Sequence, residues 1–176
     1  MIISGYSIVF NVESVTMFDG ELFREIIAPE AVTKEMLDAS DIVMTMFHNR
    51  ETILARSQYG KGSLSYAIDG MGVQFRFETP DTSEGDKAVE LVKRGDLTGC
   101  SFAFLPDFHS IEREEKDGYV LRTIHKIKTV RDFTIAATPA YPQTSVMLGN
   151  GGLGWHREAA QLRNRADRIL NNRMIW

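Results

Sequence analysis

Gly99-Cys100-Ser101-Phe102-Ala103-Phe104 decides the reading of this chain, because it sets one small hydroxyl between a glycine and an aromatic-rich extended run. A serine hydroxyl is inert at neutral pH unless a base takes its proton as it attacks. A base and an acid stand in the same sequence: Phe47-His48-Asn49 lies upstream and Arg131-Asp132-Phe133 downstream. Imidazole titrates near neutrality, so His48 can accept and return a proton within one cycle. A carboxylate at the second ring nitrogen, here Asp132, would fix the tautomer and stabilise imidazolium. The order His, Ser, Asp matches neither well-known serine-protease order, and a triad is recognised by geometry rather than position. On chemistry alone each residue also has an ordinary place. Ser101 can pair with backbone at a strand start, His48 can sit half-buried after an apolar strand, and Asp132 can pair with Arg131 on a solvated face.

Outward from that hexapeptide, residues 82–94 read as a helix. Thr82 or Ser83 can cap it, acids fill its first turn, and Ala88, Leu91 and Val92 form the apolar stripe. Lys93 and Arg94 suit its C-terminal end and Gly95 stops it. Residues 101–105, 119–124 and 127–137 read as strands on the far side. Nearer the start, residues 2–10 read as a strand with Gly5 as a candidate bulge, and 23–27 as another. Val32, Met36 and Leu37 give residues 31–39 helical spacing after Pro29. Residues 41–47 form an apolar strand that delivers His48 at its end. Val73, Phe75 and Phe77 alternate with Gln74, Arg76 and Glu78, the period of a half-buried strand. Asp69-Gly70 and Gly72 join that strand to residues 63–69 in a hairpin. Many strands with few helices give an α+β, mainly β fold: a closed or nearly closed β-barrel with helices outside it.

A chain of 176 residues can bury a full core in one domain. A net charge of −4 argues against a body that holds nucleic acid by bulk electrostatics. One cysteine excludes an intrachain disulfide and suits a reducing cytoplasm. No apolar run approaches the ~18 residues of a membrane span, and Met-Ile-Ile-Ser-Gly lacks the basic start of a signal peptide. A soluble intracellular protein is expected, or one that acts inside a particle assembled there. No zinc-like spacing, phosphate loop or dinucleotide fingerprint appears, so neither metal nor cofactor is expected. Cys100 adjoins Ser101, and strand neighbours point to opposite faces, so a cleft-facing Ser101 leaves Cys100 in the core. The Gly-x-Ser-x-Gly elbow of many esterases is missing. The composition turns at residues 148–154, where Gly149, Gly151, Gly152 and Gly154 make a flexible linker. Beyond it, residues 155–176 carry Trp155, Ala159, Leu162, Ala166, Ile169 and Leu170 at helical spacing, with five arginines. This amphipathic C-terminal helix would dock on a partner or pack on its own barrel.

Three blocks, in this order and separation, resemble the HK97-type prohead maturation proteases of tailed phages, which share a fold with herpesvirus assemblins. The first is Phe23-Arg24-Glu25-Ile26-Ile27-Ala28-Pro29-Glu30-Ala31-Val32, followed by Phe47-His48-Asn49. The second is Arg94-Gly95-Asp96-Leu97-Thr98-Gly99-Cys100-Ser101-Phe102-Ala103-Phe104. The third is Asp132-Phe133-Thr134-Ile135-Ala136-Ala137-Thr138-Pro139-Ala140-Tyr141. The resemblance covers residues 1–147 and implies an assemblin-like β-barrel domain with Ser101 as nucleophile, His48 as base and Asp132 as its orienter. It departs from the family pattern at Glu30, Ala55 and Ala103, each standing where glycine is usual. It further implies a serine endopeptidase that processes capsid precursor and scaffold inside an assembling procapsid in the host cytoplasm, cleaves itself, and self-associates as a homodimer or larger homo-oligomer. Membrane and specific nucleic acid are not expected partners. The competing reading is a non-catalytic assembly factor that keeps the barrel and binds scaffold or capsid.

Overall fold

In β8 (Gly72–Glu78) the apolar alternation read from the sequence is met: Val73, Phe75 and Phe77 are buried while Arg76 and Glu78 are exposed. The structure, a computed structural model, describes residues 1–149; the linker beyond Gly149 and the helix expected over 155–176 lie outside the described residues. The other strands are β1 (Ile2–Val9), β2 (Met17–Phe18), β3 (Leu22–Ile27), β4 (Asp41–Met46), β5 (Asn49–Gln58), β6 (Lys61–Gly62) and β7 (Leu64–Ile68). After the helical segment come β9 (Gly99–Pro106), β10 (Ile111–Lys116), β11 (Tyr119–Ile124), β12 (Ile127–Ala136) and β13 (Ser145–Leu148). Among the described residues two α-helices accompany them, α1 (Lys34–Asp38) and α2 (Ser83–Arg94).

The strands pair into three sheets, ordered β13-β1-β8-β7, β10-β11-β3-β2 and β6-β5-β4-β12-β9. One apolar core joins them. It takes Ile3, Tyr6, Phe75 and Phe77 from the first, Ile27 and Ile124 from the second, and Met44, Cys100, Val130 and Phe133 from the third. The mainly β character holds, but the pairing among the described residues does not close into one barrel. Closure requires the outer strands of a sheet to pair with each other, and β6 and β9 stand at opposite edges of theirs.

Local chemistry explains the helices. Thr82 Oγ1 accepts the Gly85 N–H at 3.2 Å, Glu84 and Asp86 face the positive end of α2, and Gly95 at φ +79° closes it. The helix expected over 31–39 is shorter than its pattern. Residues Pro29–Ala31 form a 3₁₀ turn, and Val32 and Thr33 stay extended. Thr33 Oγ1 then accepts the Met36 N–H at 3.2 Å and starts α1 one residue later.

Gly5 is not the bulge; the register of β1 against β8 slips between Tyr6 and Ile8. Gly5 is needed because β13 crosses so closely that a Cβ there would lie 1.8 Å from the Ser145 carbonyl oxygen. Gly5→Ala is therefore expected to destabilise the fold by about 3 kcal/mol, the upper end of ordinary overpacking, read as a lower urea midpoint. An unchanged midpoint would contradict the close pairing of β1 with β13.

Candidate active site

The third sheet builds the site, and β12 is its axis. This strand runs parallel to β4 and antiparallel to β9. Asp132 faces Val43 on one side and Ala103 on the other; Thr134 likewise faces Thr45 and Ser101. Residues opposed across a ladder share a sheet face, as do residues two apart on one strand. Ser101, Asp132, Thr134 and Thr45 thus belong to one face. Asp132, Thr134 and Thr45 are buried there. Three buried polar side chains in one patch of a sheet need partners, since burial without hydrogen bonds is costly.

His48 supplies one of those partners. It lies in a two-residue turn between β4 and β5, where Met46 pairs with Asn49. Phe47 and His48 both take φ +56°. Two-residue hairpin turns favour Asn and Gly at such positions, and for other residues the left-handed conformation costs about 1–2 kcal/mol each. Three bonds from β12 offset that strain. The Phe47 N–H donates to the Ile135 carbonyl at 3.2 Å and the His48 N–H to Thr134 Oγ1 at 2.8 Å. On the ring, His48 Nδ1 lies 2.8 Å from Asp132 Oδ1. The imidazole is 44% exposed while the carboxylate is only 8% exposed. Carrying the proton on Nδ1 satisfies the buried acid and leaves Nε2 as an acceptor.

The structure thus brings His48 and Asp132 into direct contact across 84 residues of sequence. The ordinary reading of Asp132, a solvated partner of Arg131, does not hold, because its side chain is buried against the histidine. Ser101 is half-buried one strand away, opposite Thr134. No hydrogen bond joins Ser101 to His48 among the described residues. Cys100 faces the core as alternation requires, fully buried, and burial pushes its thiol far above the ordinary range.

Gly99 is a glycine because another part of the chain packs against it. A Cβ there would meet Pro139 Cγ at 2.4 Å, so the space above it is taken by the chain's own loop rather than left for a substrate. The same loop is pinned by Tyr141, which is buried, stacks on Phe102 at 5.5 Å and donates its hydroxyl to Glu25 Oε1 at 3.1 Å. Burial holds the Glu25 carboxyl above its usual value, opposed by that hydrogen bond. Of the other histidines, His109 is exposed, and His125 bonds Glu30 Oε1 at 2.7 Å and Glu112 Oε2 at 3.3 Å on the surface. Glu30 therefore has a structural use for its carboxylate where glycine is usual. Those bonds, with Glu30 first, raise the His125 pKa. His156 lies outside the described residues. Among the described residues no group of three or more His, Cys, Asp or Glu side chains gathers as a metal site, and no helix is long and apolar enough to cross a membrane. The sequence reading missed Thr134 and the left-handed turn. Nothing in Asp132-Phe133-Thr134 marks the threonine as more than a strand former.

A family model described as caudovirus prohead serine protease matches residues 1–152. Among solved structures, the chain is similar to Kaposi's sarcoma-associated herpesvirus protease in complex with a hexapeptide phosphonate inhibitor. The TM-score is 0.53 at 11% identity, covering 91% of this chain and 74% of that one. It is also similar to the same virus's protease in complex with an allosteric inhibitor, with a TM-score of 0.51 at 11% identity, covering 95% and 90%. At that identity the likeness concerns the fold. No curated protein matches the chain.

Proposed function

Because the chain belongs to the caudovirus prohead serine protease family, a group of peptidases of capsid maturation, we propose that it is a serine endopeptidase in which Ser101, His48 and Asp132 form the relay. The observation that carries this reading is the 2.8 Å contact between His48 Nδ1 and the buried Asp132, beside the strand that bears Ser101. With Nδ1–H donated to the acid, Nε2 takes the Ser101 proton as Oγ attacks a peptide carbonyl. Imidazolium, held by Asp132, then returns that proton to the leaving amine. Water attacks the resulting acyl-enzyme, His48 again accepting its proton, and the carboxyl product leaves with Ser101 restored. The mainly β body, residues 1–147, would do this chemistry.

Its substrates are capsid precursor and scaffold in the assembling procapsid of the host cytoplasm, where enclosure keeps their local concentration high. Self-cleavage and homo-oligomerisation belong to the same proposal. The buried Asp132 and the strained His48 turn weigh against a non-catalytic assembly factor, which has no use for either. Incubating the purified chain with capsid precursor from the same phage should give discrete products, identified by mass. An intact precursor in assembled proheads containing the wild-type chain would refute the proposal.

A further inference from the structure

We infer that Thr134 is a positioning residue for the base: its hydroxyl holds the backbone of His48 in the left-handed turn from which the ring reaches Asp132. This rests on the reading of His48 as the base. Thr134 Oγ1 accepts the His48 N–H at 2.8 Å and the Thr45 hydroxyl at 2.9 Å, and both threonines are wholly buried. Asp132 and Thr134 lie two apart on β12 and share a face, so one strand holds both ends of one residue. The carboxylate takes the ring and the hydroxyl takes the main chain.

Two further observations favour a task beyond packing. Valine has the shape of threonine and prefers a strand interior as well, yet the middle of this sheet holds two fully buried threonines side by side. One hydroxyl could only satisfy the other; the pair becomes useful because a third group, the amide of His48, must be served. That amide belongs to a residue at φ +56°, in a turn that the side chains of Phe47 and His48 do not favour. Ser101 stands directly across the ladder from Thr134. The residue that fixes the turn is thereby in register with the proposed nucleophile.

Thr134→Val removes the hydroxyl at constant shape and Thr134→Ser keeps it. With a capsid-derived peptide, Thr134→Val should lower kcat by about 10- to 100-fold, the usual loss from ångström-scale misplacement, and leave KM unchanged. Thr134→Ser should stay within a few-fold of wild type. Thr45→Val, which disturbs the same buried pair without touching His48, should also stay within a few-fold. The His48 amide should exchange its hydrogen faster in Thr134→Val alone. Should that variant not fold, Thr134→Cys, whose sulfur is a weak acceptor, carries the same expectation. Equal losses in the serine and valine variants, or full activity in Thr134→Val, would overturn the inference. A parallel His48→Ala variant separates the two levels. Cleavage that survives it removes the proposed base. Cleavage lost there but untouched by Thr134→Val removes only the role of Thr134.

Discussion

Ser101→Ala is expected to abolish processing of capsid precursor while the protein keeps its thermal midpoint. The structural half follows from the site: among the described residues the Ser101 hydroxyl has no hydrogen-bond partner whose loss would leave a buried group unpaired. The side chain is half-buried, and the strand beneath it is held by β12 through backbone bonds that alanine preserves. The catalytic half follows from the mechanism. Without Oγ there is no acyl-enzyme, and removal of the nucleophile from such a relay lowers kcat by about a millionfold. Cys100 cannot substitute. It is fully buried, points to the other face, and its thiol is held neutral by burial. Electrophoresis of precursor incubated with each form, beside calorimetry of both, makes the measurement. Processing at wild-type rate by Ser101→Ala would remove serine catalysis at this position.

Asp132→Asn should be nearly as damaging, lowering kcat by about 10⁴-fold with little change in KM. The amide keeps the shape of the buried side chain but alters what it offers to His48. Its nitrogen can donate to Nδ1, which then favours the tautomer with the proton on Nε2, the wrong one to receive from Ser101. It also withdraws the negative charge that stabilises imidazolium between the two proton transfers. Steady-state kinetics on a peptide spanning a mapped cleavage site would test this, with the His48 ring nitrogens followed by NMR to read the tautomer. A variant that retains wild-type kcat would reduce Asp132 to a structural partner of the turn.

Much of the scaffold was legible because local chemistry fixed it. Thr82 and Gly95 bound α2, and Val73, Phe75 and Phe77 mark β8 by a period that only a half-buried strand needs. Strands with no apolar alternation were silent. In β10, Ile-Glu-Arg-Glu-Glu-Lys lies at a sheet edge with water on both sides, so nothing in its pattern records the pairing with β11. β5 begins in the polar run Asn-Arg-Glu-Thr and follows the turn that bears His48, where the chain has neither Asn-Gly nor Asp-Gly to announce a hairpin. Gly5 was recognisable as a special position, but what crowds it, Ser145, comes from distant sequence, as does the Pro139 that crowds Gly99.

The site divides in the same way. His48, Ser101 and Asp132 were visible as residue types, and resemblance singled them out. The contact of His48 with Asp132 depends on register, since Asp132 reaches the histidine only because β12 pairs in parallel with β4 through Val43. Such parallel pairing across a long stretch of chain leaves no local mark. Thr134 was unreadable for a plainer reason: a buried strand threonine and one that grips a backbone amide have the same sequence.

The most direct measurement is the site of covalent modification by a serine-directed phosphonate. It should be carried out on the active form that processes capsid precursor, with the adduct mapped by peptide mass spectrometry. Loss of processing should run in step with one adduct on Ser101, and no adduct should form when His48 is alanine. Complete inhibition with the adduct on any other residue, Ser101 remaining unmodified, would contradict it.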